Sequence, residues 1–138
     1  MAVDPSDAVA NKATRILGPL SAYRSGGLQR DIPGLSGFLG VYENTSPPAD
    51  CVWIFADGLA LERPGDLVVL RFVEIETVRG PSTTAADHPD SKFINVTRLG
   101  GGQVPIHIDG HRGRFLDSMD FTRFLNDACS IHRRASSR

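Results

Sequence analysis

The sequence predicts a mainly β (α+β) domain: a seven-stranded antiparallel β-sandwich or strongly bent barrel, with a helix before it and a C-terminal α-helix closing it. Three observations predict this. Between residues 37 and 109, short runs rich in β-branched and aromatic residues are separated by turns bearing Gly, Pro or Asp. After residue 117, apolar residues return at i, i+3, i+4 and i+7, the period of a helix. The chain has 138 residues, 41% apolar and 22% charged, which is enough for one core and not for two.

Residues 4–17 are expected to be helical. Asp4 can cap, Pro5 suits the first helical position, and Ala8, Val9, Ala13, Ile16 and Leu17 fall at helical intervals. Gly18, Pro19, Gly26, Gly27, Pro33 and Gly34 make 18–36 a loop region, with room for a short strand at 20–24. The first strand of the sandwich is then GFLGVYEN (37–44), followed by the breaker-rich loop TSPPAD and a second strand, CVWIFA (51–56). Asp57-Gly58 signals a hairpin into LALER (59–63). PGD (64–66) turns the chain into LVVLRF (67–72), and VEIETVR (73–79) alternates as a fifth strand with an irregular start.

Residues 80–91 form a polar loop, long for a compact domain. KFINVTRL (92–99), the turn Gly100-Gly101-Gly102 and QVPIHID (103–109) complete the strands, and Pro105 places the last one at an edge or starts it at Ile106. Ser118 or Asp117 caps the final helix. Its apolar stripe is Phe121, Phe124, Leu125, Ala128 and Ile131 or His132, with Arg133 and Arg134 where the helix dipole favours positive charge. The chain thus divides into an N-terminal helix and Gly/Pro-rich arm, 1–36, and a sandwich with its closing helix, 37–138.

With 15 basic and 16 acidic residues, the chain lacks both the basic footprint of a nucleic-acid binder and an acidic tail. Asp4 and Asp7 stand where a signal peptide needs positive charge, and no apolar run approaches the ~18 residues of a membrane span. The expected address is the cytoplasm, without peripheral membrane contact. There Cys51 and Cys129, with no CxxC spacing, are expected as free thiols.

The order of elements resembles the pleckstrin-homology-like superfold: antiparallel sheets of four and three strands closed at one end by a helix. WIFADGLAL, LVVLRFVEIETVRG, and IHIDG followed by FLDSMDFTRFLNDA are similar to bacterial members of that group. The resemblance covers residues 37–132 and implies a binding domain without naming a ligand. Lipid-binding members carry basic residues between their first two strands. Here that loop, NTSPPAD, holds no Lys or Arg.

The segment HIDGH (107–111) raises the question of a metal, since His107, Asp109 and His111 would share one face of a continuous strand. Ile106 and Ile108 are expected inward, His107 and Asp109 outward, and Asp109-Gly110 favours a bend that removes His111 from that face. Further ligands would have to come from Asp87, His88 and Asp90 in the long loop or His132 on the helix, and no spacing ties them together. A second candidate is an anion-binding rim of Arg98, His111, Arg112 and Arg114, because guanidinium forks suit phosphate and carboxylate. No GxSxG elbow or phosphate loop occurs, and neither Cys51 nor Cys129 has an activating partner by motif.

The expectation is therefore a non-catalytic protein-binding module, of inhibitor, immunity or adaptor type, without cofactor. Its protein partner would sit on a sheet edge, in the groove beside the last helix, or on the 80–91 loop, and a homo-oligomer is one form of that. Anion or lipid-headgroup binding at the arginine rim is the alternative, and a metal-dependent hydrolase at His107, Asp109 and His111 is the third reading.

Overall fold

The computed structural model describes residues 4–25, 29–44, 50–82, 92–112 and 115–136, and for 111, 112, 115 and 116 the backbone alone. It is mainly β, with two antiparallel sheets of five and three strands and no closed barrel among the described residues.

Helix α1 (Pro5–Lys12) starts as Asp4 and Pro5 predict: the Asp4 carboxylate accepts from Ser6 N at 2.8 Å. It does not continue to residue 17 as an α-helix. Ala13–Leu17 form a π turn, which ends with Gly18 N donating to Ala13 O at 3.0 Å. The five-stranded sheet runs in sequence order: β1 (Tyr23–Ser25), β2 (Phe38–Glu43), β3 (Cys51–Phe55), β4 (Gly58–Arg63) and β5 (Asp66–Arg71). A 3-10 turn at Phe72–Glu74 supplies the irregular start expected of the next strand. The second sheet is β6 (Ile75–Arg79), β7 (Phe93–Arg98) and β8 (Gln103–His107), in that order. Pro105 indeed lies in an edge strand, β8. Residues 83–91 of the expected polar loop lie outside the described residues.

The segment after β8, expected to be a loop, instead forms a small hairpin, β9 (His111–Arg112) with β10 (Phe115–Leu116). Helix α2 (Asp117–Ser136) then closes the molecule.

One core joins these layers. Tyr42, Val52, Ile54, Leu59, Leu61 and Leu70 face it from the first sheet, and Ile75, Ile94, Val96 and Ile106 from the second. Helix α2 adds Phe121, Phe124, Leu125 and Ala128, the stripe its 3.6-residue period predicts. Val9, Ala13, Ile16, Leu17 and Leu20 join the same cluster, so the N-terminal helix shares the core of the sandwich.

The outer face of the first sheet is covered as well. Ile32, from the arm, packs with Phe55 and Ala60, and Leu35, Phe38, Trp53 and Val69 surround them. Arg30 latches this cover: its guanidinium stacks over the Trp53 ring at 5.2 Å and pairs with Glu62. Coverage on both sides explains why β4 is apolar through Leu59, Ala60 and Leu61 rather than alternating.

Candidate functional site

Three regions hold chemistry: the end of β8, the outer edge of β6, and the hollow between the two N- and C-terminal helices.

At the end of β8 the structure separates the HIDGH residues. His107 is the last residue of the strand, and His111 begins the next hairpin. Ile106 and Ile108 point inward, fully buried, as expected. His107 and Asp109 are not solvent-facing, and this corrects the sequence expectation. The His107 side chain is 10% exposed; its Nδ1 lies 3.1 Å from Asp50 Oδ1, and its ring stacks on Phe93 with centroids 5.1 Å apart. Asp109 is buried, and its N–H donates to Asn44 Oδ1 at 2.8 Å. The Asn44 amide also donates to Asp50 Oδ1 at 2.8 Å and to His107 O at 2.7 Å. One turn further, the Tyr42 hydroxyl accepts from Gly110 N at 3.0 Å and donates to Asp117 Oδ2 at 2.8 Å.

This network anchors the strand exit rather than presenting a ligand set. Burial and the neighbouring Asp117 carboxylate push the Tyr42 hydroxyl well above the usual phenol range, so it stays a donor at any physiological pH. Tyr42, Asn44, Asp50 and Asp117 were invisible to motif reading. Tyr42, Asn44 and Asp50 meet His107, Asp109 and Gly110 from positions far away in the chain, and Asp117 joins them through Tyr42, so no local spacing announces the network. Among the described residues no group of three His, Cys, Asp or Glu stands close enough to hold a metal. Asp87, His88 and Asp90 lie outside the described residues. His132 Nε2 lies 2.8 Å from Ala56 O, tying α2 to the end of β3.

The arginine rim is not gathered by the described residues. Arg98 ends β7, pairs with Ile75, and donates to Val69 O at 3.4 Å. The other end of β7, Phe93, pairs with His107. Arg98 therefore stands about 17 Å along the strand from the exit that leads to His111 and Arg112. The side chains of His111 and Arg112, and all of Arg114, lie outside the described residues.

The second region is a groove beside α2. A hollow of about 380 Å³ is lined by Phe72, Val73, Ile75, Leu99, Cys129 and Arg133, among others. A second, of about 270 Å³, shares Ile75, Glu76, Cys129 and Arg133 and extends to Thr77, Val78 and Asn126. Four consecutive residues of β6 line it, which a strand edge can do and a strand face cannot. β6 is the edge of its sheet, and no strand pairs with its outer side among the described residues. The register slips between Ile75 and Thr77, and at that bulge Glu76 O accepts from the Arg133 guanidinium at 3.3 Å. Leu99 is 60% exposed and Val73 39%, so folding leaves apolar surface at one end of the groove.

Both cysteines carry free thiols. Burial raises each to about 11, helped at Cys51 by the Glu62 carboxylate, so both are protonated near neutral pH. Glu62 is held below its usual range, first by the Arg30 guanidinium and then by the Trp53 indole N–H at 3.0 Å.

In comparisons with known proteins, no family model and no curated protein matches this chain. Among the described residues no helix is long and apolar enough to cross a membrane.

Proposed function

We propose that this chain is a non-catalytic protein-binding module that takes an extended peptide along the outer edge of β6, against α2. One observation carries the reading: an unpaired strand edge runs beside a helix, with an apolar hollow at its end. A strand edge offers a ladder of backbone donors and acceptors that a further strand satisfies. An added strand would send alternate side chains toward the hollow walled by Phe72, Val73, Ile75 and Leu99. An apolar anchor there would cover the surface Leu99 and Val73 leave open.

The protonated thiols and the internally bonded rings of His107 and His132 support a binding role over a catalytic one. Two sheets closed by a helix, with the segments quoted above, support a pleckstrin-homology-like domain of bacterial type. Relatives of that superfold take peptides by strand addition. Within that reading the module works in the cytoplasm as an inhibitor, immunity protein or adaptor.

Selection of a displayed random-peptide library on the immobilised full chain tests the proposal. We expect selected peptides to share an apolar anchor and to lose at least tenfold in affinity to Val73→Asp and Leu99→Asp. Both sites are exposed, so the variants keep the fold. Selected peptides that bind both variants as tightly as the parent would sink the groove. A concentration-dependent dimer abolished by Val73→Asp would replace the peptide by a second copy of this chain.

A further inference from the structure

Helices α1 and α2 pack side by side, and a hollow of about 300 Å³ opens where the π turn follows α1. It is lined by Lys12, Arg15, Ile16, Arg123 and Asp127. That lining carries three cations and one carboxylate in a chain whose net charge is −1. Lys12 Nζ lies 3.4 Å from Asp127 Oδ2, so those two offset each other. Among the described residues Arg123 pairs with Asp120, at 3.9 Å, with 64% of its side chain exposed. The Arg15 guanidinium has no carboxylate partner among the described residues. The Arg15 charge is thus uncompensated among the described residues, and Arg123 is held only by a long, exposed ion pair, in one concavity whose low-dielectric walls concentrate the field.

A second observation points to the same place. Arg15 and Ile16 belong to the π turn Ala13–Leu17. Such turns are uncommon and recur at functional sites. This one interrupts a helix that its own sequence pattern would have continued. Ile16 is nearly buried and gives the hollow an apolar floor. The volume falls at the small end of ligand sites.

We propose that this hollow binds a phosphomonoester group, clamped between Arg15 and Arg123. Planar guanidinium forks, one on the π turn and one on the facing helix, suit the tetrahedral oxygens of phosphate, and a dianion would compensate Arg15 and compete with Asp120 for Arg123. The site is separate from the peptide groove: it uses the Arg123–Asp127 stripe of α2, whereas the groove uses Asn126, Cys129 and Arg133.

The test is calorimetric titration of the full chain with inorganic phosphate at low salt, beside co-sedimentation with phosphatidylcholine vesicles with and without phosphatidic acid. Low salt is chosen because screening is weakest there. Arg15→Gln and Arg123→Gln are exposed substitutions whose fold is checked by circular dichroism. Arg24→Gln, on β1 and paired with Glu43, is the control. We expect saturable phosphate binding, weakened about tenfold or more by either Gln variant and unchanged in the control. Binding of phosphatidic acid vesicles alone, lost in the same two variants, keeps the site and assigns the phosphate to a lipid headgroup. Equal binding by parent and both variants, or no binding of either probe, overturns the proposal.

Discussion

The Asn44 side chain makes three hydrogen bonds inside the protein, to Asp50, to His107 O and from Asp109 N. Removing it strands buried partners, whose desolvation is no longer offset. Asn44→Ala should therefore cost about 3 kcal/mol in urea unfolding. Asn44→Asp should be no milder, because it sets a second carboxylate against Asp50. Tyr42→Phe keeps the ring packing but removes the link between Gly110 and Asp117, for about 2 kcal/mol. The inward placement of Ile106 and Ile108 was legible from alternation. The burial of His107 and Asp109 was not, because their partners Asn44 and Asp50 belong to another part of the chain. The raised thiols of Cys51 and Cys129 have a pH consequence. Their folded values, about 11, exceed the reference of 9.0, so the unfolded chain ionises first. Their contribution to stability is complete below pH 9 and is lost as pH rises toward 11. Tyr23, raised from 10.0 to about 12 by burial, extends the decline. A urea midpoint that stays flat from pH 8 to 11 would contradict this.

Elements were legible where local chemistry decides them. The Asp4 cap is one case, and Asp4→Ala should cost about 1 kcal/mol. The hairpin at Asp57-Gly58 forms where the dipeptide places it, but for another reason. Gly58 has no positive φ, so the turn is not the type the pair usually specifies. Asp57 instead holds Ser36 through its carboxylate, at 2.9 and 3.0 Å. Glycine is needed because a Cβ at 58 would come within 2.4 Å of Leu70 O. Gly58→Ala should therefore destabilise by more than the usual glycine-to-alanine change can offset, about 2 kcal/mol or more, read as a lowered thermal midpoint. The β9–β10 hairpin was not legible, since GHRGRF lacks the alternation that marks a strand. The π turn was equally hidden, because its apolar residues keep helical spacing while the hydrogen bonding changes.

At the scale of the whole molecule, the sandwich and its closing helix were readable because burial imposes a period on each. What sequence could not supply was which surface stays open. Ile32 and Leu35 of the arm cover the outer face of the first sheet, and α1 joins the main core, whereas the outer edge of β6 keeps no strand partner among the described residues. Leu17, fully buried between these layers, ties the N-terminal helix to the sandwich; Leu17→Ala should cost about 3 kcal/mol and lower the whole unfolding transition in one step. The binding reading rests on the open edge. Amide chemical-shift mapping of the full chain with a library-selected peptide tests it most directly. We expect the perturbed amides to cluster on Ile75–Arg79 and along the 126–133 side of α2, with intermolecular backbone contacts of an added strand. Perturbations confined to the β8 edge or to the outer face around Trp53, with β6 unmoved, would contradict it.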